Sequence, residues 1–76
     1  MEIKYSKAAV KFLKKQNQPI QVRIMTAIEK IPAGDIVKLQ GIIGYRLRVG
    51  NYRIIFDFSG NIIDIIEIDN RGQIYK

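Results

Sequence analysis

Two glycine-asparagine pairs, Gly50-Asn51 and Gly60-Asn61, each separate two runs of mostly alternating residues, and they constrain this chain more than any other feature. A two-residue loop with glycine in first place fits a type II′ turn, whose backbone twist matches that of paired strands. With Gly50 and Asn51 at the centre of the turn, Val49 and Tyr52 become opposite neighbours. Counting outward, Arg48 faces Arg53, Leu47 faces Ile54, Arg46 faces Ile55 and Tyr45 faces Phe56. Side chains alternate between the faces of a sheet, so one face takes Tyr45, Leu47, Val49, Tyr52, Ile54, Phe56 and Phe58. The other takes Arg46, Arg48, Arg53 and Ile55, with Asp57 beyond. Like charges directly opposite each other destabilise a sheet, so the pairing of Arg48 with Arg53 favours an anion on that face and weakens, without removing, the plainer reading of a half-buried hairpin with solvated arginines.

The second pair joins Phe58 to a strand from Ile62 to about Ile68. Pairing Ser59 with Ile62 puts Ile63 and Ile65 on the apolar face, and Ile62, Asp64, Ile66 and Ile68 on the arginine face. Ile55, Ile66 and Ile68 would then form exposed apolar surface beside the arginines, which a monomer rarely leaves uncovered. Upstream, Glu2 to Tyr5 alternates as a short strand, and Ser6 is a good N-cap for a helix from Lys7 to about Gln16. Ala9, Val10, Phe12 and Leu13 give that helix an apolar stripe, with Lys7, Lys11, Lys14 and Lys15 on the opposite side. A second helix begins near Pro19, with Ile20, Ile24, Ala27, Ile28 and Ile31 at helical spacing, and Pro32 and Gly34 end it. The segment around Lys38, Gly41 and Gly44 reads as a packed loop. The order β-α-α-β-β-β predicts an α+β fold, with a helical hairpin on one face of a small, mostly antiparallel sheet.

At 76 residues, without repeats or linkers, residues 1–76 read as one domain near the lower size limit for folding alone. There is no cysteine and no histidine, which removes disulfides and thiolate chemistry and argues against zinc; metal catalysis would rest on carboxylates alone. No apolar run suits a signal sequence or a membrane span, so a cytoplasmic protein is the expectation. The formal charge of +6 favours an anionic partner, either nucleic acid or acidic protein.

Taken as a set, Lys38-Leu39-Gln40-Gly41, Tyr45-Arg46-Leu47-Arg48-Val49, Tyr52-Arg53-Ile54-Ile55-Phe56 and the closing Asn70-Arg71-Gly72-Gln73-Ile74-Tyr75 resemble the RelE/ParE superfamily of toxins from toxin-antitoxin pairs. The resemblance spans essentially the whole chain. It implies a toxin held by a cognate acidic antitoxin. In the RelE branch such a toxin cleaves mRNA in the ribosomal A site, and in the ParE branch it poisons DNA gyrase without nuclease chemistry. A relative retaining only antitoxin binding is the third reading. An antitoxin segment that folds on docking would cover Lys11, Lys14 and Lys15 on the helices and Ile55, Ile66 and Ile68 on the sheet.

RelE-type cleavage resembles metal-free ribonuclease chemistry and implies no cofactor. The ribose 2′-hydroxyl attacks the adjacent phosphate, so one group must take its proton, another must stabilise the phosphorane-like charge, and a third should protonate the leaving 5′-oxygen. By the resemblance, Arg48, Arg53, Arg71 and Tyr75 are the catalytic candidates. Arg53 and Arg71 suit phosphate clamping, because a guanidinium fork matches phosphate oxygens. Arg46 and Arg48, with Lys38, fall where the RNA backbone is held. Tyr75 is a base or a stacking partner if nearby arginines lower its pKa, or else an aromatic that closes the core edge. The sequence departs from the family in having arginine where several relatives have lysine, at Arg46 and Arg48, and Asn70 where others have histidine. Arginine effectively never gives up its proton and asparagine has none to give near neutral pH, so both departures leave fewer groups for proton transfer and leave phosphate binding intact.

Overall fold

The computed structural model describes residues 2–41 and 44–70. In chain order these form strand β1 (Glu2–Tyr5), helix α1 (Lys7–Lys14), helix α2 (Gln18–Glu29), and strands β2 (Asp35–Lys38), β3 (Tyr45–Val49), β4 (Tyr52–Ser59) and β5 (Ile62–Asn70). The strands make one sheet in the order β1-β5-β4-β3-β2. β1 runs parallel to β5, and the other neighbours are antiparallel. The α+β arrangement is the expected one, with one more strand than the sequence suggested. Asp35–Lys38 was expected in a loop but pairs with β3 along its whole length. Four mostly exposed residues carry little periodic signal. What makes them a strand is the free edge of β3 beside them, a tertiary cause that local sequence does not encode.

Both tight turns form as derived. Gly50 and Gly60 have φ of 59° and 62°, while neither asparagine has positive φ, which matches glycine at the first central position of a II′ turn. The β3–β4 register is the predicted one at all five positions, including Arg48 opposite Arg53. In the second hairpin Ser59 pairs with Ile62, and Ile63 and Ile65 are buried.

Farther along β5 the ladder shifts. Ile55 pairs with Glu67 but Phe56 pairs with Ile65, so Ile66 is an extra residue, a β-bulge. Beyond it the parity of β5 is reversed. Ile68, expected beside the arginines, instead pairs with Ile54 and is 4% exposed in the core, while Glu67 and Asp69 turn to the arginine face. Ser6 braces this bulge. Its hydroxyl donates to the Ile66 carbonyl (2.7 Å) and accepts from the Ala9 N–H (3.0 Å), and its own N–H donates to the Ile65 carbonyl (2.9 Å). One side chain thus caps α1 and satisfies the carbonyl of the bulged residue.

α1 ends at Lys14, two residues short of the expected end, with Lys15 as its C-cap. Gln21 of α2 donates from Nε2 to the carbonyls of Leu13 (2.7 Å) and Gln16 (3.0 Å), which ties the helical hairpin together. Asn17 caps α2 by accepting from the Ile20 N–H. The core lies between this hairpin and the sheet. Ala9, Leu13, Ile24, Ile28 and Ile31 meet Leu47, Ile54, Phe56, Ile63, Ile65 and Ile68, and full burial of each large aliphatic chain stabilises by about 1.5–3 kcal/mol. Tyr45 stacks on Phe56, and Phe58 meets both rings edge-on, which fixes the end of the arginine hairpin away from its turn.

Candidate functional site

The sheet face away from the helices carries the candidate site. Register places Arg46 and Arg48 on β3 and Arg53 and Ile55 on β4 together on this face, as the hairpin geometry required. Arg48 is exposed, and Arg46 and Arg53 are partly covered. The row through the arginine pair continues on both sides, because Asp35 pairs with Arg48 and Asp69 pairs with Arg53. It reads Asp35, Arg48, Arg53, Asp69 across four strands. Arg53 donates from Nη2 to Asp69 Oδ2 at 2.8 Å, with the two side chains 28% and 29% exposed. Among the described residues, Arg46 Nε, Arg53 Nε and Asp69 Oδ1 are buried without a hydrogen-bond partner.

Asp57 and Asp64 were expected on this face, but Asp35, Glu67 and Asp69 were not. An unbroken strand cannot put Asp64, Glu67 and Asp69 on one side, because 64 and 67 differ in parity. That conflict was the available sign of a bulge. With the bulge, register sets Glu2, Asp35, Asp57, Asp64, Glu67 and Asp69 on the arginine face, leaving only Glu29 on the helices. The helices and their caps carry Lys7, Lys11, Lys14, Lys15, Arg23 and Lys30. Among the described residues the net positive charge is therefore concentrated on the helical layer, while the sheet face holds Lys4 and a local set of arginines bracketed by acids.

Lys38 does not join the arginines. It pairs with Tyr45, on the opposite parity, at the exposed edge strand. Arg71 and Tyr75 lie outside the described residues. Arg23, which sequence reasoning passed over, lies against the hairpin turn: a Cβ on Gly50 would stand 2.8 Å from Arg23 Nη2. Its helix and the turn are far apart in sequence, so nothing local signalled that contact.

The helical layer offers a second surface. Lys11, Lys14 and Lys15 are exposed along α1. Lys7, Lys11 and Lys14, with Tyr5 and Val10, line a groove of about 370 Å³. A neighbouring hollow of about 240 Å³ runs on to Leu13, Gln21 and Met25. Val10, assigned by sequence to the apolar stripe, is 37% exposed at the floor shared by both. Burial raises the Tyr5 phenol above its ordinary pKa, and the nearby Glu29 carboxylate adds to the rise. Of the isoleucines expected on the sheet surface, Ile66 is exposed at the bulge, Ile55 is partly covered, and Ile68 is withdrawn into the core.

Among the described residues no cluster of three or more carboxylate, histidine or cysteine groups is arranged to hold a metal ion, and no helix is long and apolar enough to cross a membrane. The arrangement suits an anion held by guanidinium groups on the sheet, and an acidic chain on the helices.

No family model and no curated protein sequence matches the chain. Solved structures do. A chain of the RelB–RelE antitoxin–toxin complex from Methanococcus jannaschii superposes with a TM-score of 0.75 and 34% identity, over 93% of both chains. The archaeal RelE–RelB complex from Pyrococcus horikoshii matches with a TM-score of 0.74 and 27% identity, over 95% of this chain and 96% of the other. The YoeB dimer of Staphylococcus aureus, at 20% identity and a TM-score of 0.70 over 88% of this chain and 92% of its own, shares the fold. With a third of its residues identical to the Methanococcus jannaschii relative over nearly the full length of both chains, on the same α+β framework, the protein belongs to the RelE family of toxins from toxin-antitoxin systems.

Proposed function

We propose that the protein is a ribosome-dependent mRNA endonuclease that inhibits translation. The observation that carries this reading is the register of β3 and β4, which sets Arg46, Arg48 and Arg53 on one solvent-facing surface of the sheet. Guanidinium groups stay charged at any working pH and match phosphate oxygens in a planar fork. On this reading, Arg48 and Arg53 stabilise the charge that develops as the 2′-oxygen bonds to phosphorus and the 5′-oxygen leaves, and Arg46 holds the flanking backbone. Arg71 and Tyr75 are the further catalytic residues, Arg71 as a second phosphate clamp and Tyr75 as base or stacking partner. The chain pairs with an acidic antitoxin. Support for that partner comes from the RelB-bound state of both archaeal relatives and from the lysine-rimmed apolar groove along α1. The test is a reconstituted translation system given the antitoxin-free protein. mRNA is cut when ribosomes are translating it and stays intact in their absence. Stable ribosome binding without cleavage overturns the nuclease reading.

A second reading, inhibition of gyrase through protein contact, draws on the carboxylates. A face where Asp35 and Asp69 bracket the arginines has the mixed charge of a protein-binding surface more than that of a uniform polyanion track. Accumulation of cleaved gyrase–DNA complexes on expression, with translation unaffected, selects this reading over the first.

A further inference from the structure

We propose that Asp69 is an anionic gate on the arginine face: its carboxylate occupies Arg53 in an internal ion pair that an RNA phosphate must displace. This rests on the reading of that face as the RNA-binding surface, and it assigns Asp69 a role in setting affinity and selectivity there.

Three observations carry it. First, Asp69 reaches this face only through the bulge at Ile66. Were Ile66 paired regularly with Ile55, β5 would keep its earlier parity, and Ile68 would lie on the arginine face in place of Asp69. Second, the pair is made through one nitrogen and one oxygen. Arg53 Nη2 meets Asp69 Oδ2 at 2.8 Å, while Arg53 Nε and Asp69 Oδ1 are both buried and unmatched among the described residues. A guanidinium and a carboxylate in fork-to-fork geometry would satisfy both atoms. Here a donor and an acceptor are held out of water without compensation, so the closed pair is weaker than its distance suggests. Third, the row Asp35, Arg48, Arg53, Asp69 contains two positive and two negative side chains. Its long-range attraction for a diffuse polyanion is small. A phosphate brought to Arg53 in a fixed pose can supply several acceptor oxygens and replace the carboxylate. Asp69 then loses its partner and repels the incoming charge, which raises the threshold for any RNA not so positioned.

Asp69 acts through Arg53 and is a positioning residue, so the test must read their coupling and not stability alone. Binding of a fluorescein-labelled single-stranded RNA is followed by anisotropy across a range of salt concentrations, for the wild type, Asp69→Asn, Asp69→Glu, Arg53→Gln and the Asp69→Asn/Arg53→Gln double variant. Asp64→Asn, which removes a charge from the same face without removing a contact to Arg53, controls for net charge. Asp69→Asn should bind about three- to fivefold more tightly than wild type. Its log–log salt slope should steepen, because a phosphate arriving at Arg53 no longer frees a carboxylate that takes up a cation in its place. Asp69→Glu should return toward wild type, and in the Arg53→Gln background Asp69→Asn should gain no more than Asp64→Asn does. If Arg53→Gln weakens binding but Asp69→Asn leaves it unchanged or weaker, the gate is refuted and the RNA-binding face stands. Should no variant bind RNA, the gate fails, while the ribosome-dependent reading is decided separately by cleavage in the translating system.

Discussion

Replacing Ser6 with alanine is a sharp probe of how this fold holds its site, because one hydroxyl serves both the first helix and the bulge that aims Asp69. Two terms are lost. The cap to the Ala9 N–H is worth about 1 kcal/mol in comparable helices. The bond to the Ile66 carbonyl is worth about another 1 kcal/mol net, and its exposure lets water recover part of that. A loss of about 1–2 kcal/mol in a chain of this size lowers the melting temperature by about 4–16 °C. Thermal unfolding followed by circular dichroism reads this directly, and Ser6→Thr, which keeps the hydroxyl, should stay within about 3 °C of wild type. Amide exchange adds a local readout, since the Ser6 N–H that donates to the Ile65 carbonyl at 2.9 Å should lose protection in the alanine variant. A melting temperature for Ser6→Ala within about 3 °C of wild type refutes the bracing role, as does a threonine variant that falls as far as alanine.

Other outcomes follow from the same framework. Ile68→Ala should destabilise by about 2–5 kcal/mol in chemical denaturation and Ile66→Ala by less than about 1 kcal/mol; the reverse order would mean that the bulge is misplaced. Gly50→Ala should cost about 1–2 kcal/mol for holding an L-residue at φ 59°. It also pushes on Arg23, so pairing it with Arg23→Ala should recover part of the loss, and no recovery would separate the turn from the helix. For Tyr5 the sign runs through the raised folded-state pKa. Between the ordinary phenol value of about 10 and the higher folded value, the unfolded chain loses its proton first, so folding weakens as pH rises through that window. Tyr5→Phe should lose less stability than wild type over this alkaline range in urea melts, and parallel curves would contradict it.

Much of the framework was legible because it is written in local chemistry. Gly-Asn turns set hairpin registers, and those registers set Arg48 opposite Arg53. Ser6 read as a cap, and the isoleucine spacing of α2 marked Ile24 and Ile28 as core. What escaped were effects of tertiary origin. β2 exists because β3 offers an unpaired edge, and Arg23 meets Gly50 across a long stretch of chain. The bulge lay between these cases. The parity conflict among Asp64, Glu67 and Asp69 was present in the sequence, but the isoleucines of β5 are apolar on both faces and let either register look satisfactory. The consequence fell on the site itself: Ile68 moved from proposed interaction surface to core, and Asp69 arrived beside Arg53.

The most direct test uses a translating ribosome programmed with an mRNA whose A-site codon carries either ribose or a 2′-deoxy sugar at the nucleotide preceding the scissile phosphate. If the guanidinium face promotes attack by the 2′-oxygen, antitoxin-free protein cuts the ribose message, leaves a 5′-hydroxyl on the downstream fragment and spares the deoxy message. Arg48→Ala and Arg53→Ala should cut the ribose message far more slowly while remaining folded. Equal cleavage of both messages would contradict 2′-oxygen attack, and an intact ribose message beside ribosome-bound protein would contradict the nuclease reading altogether.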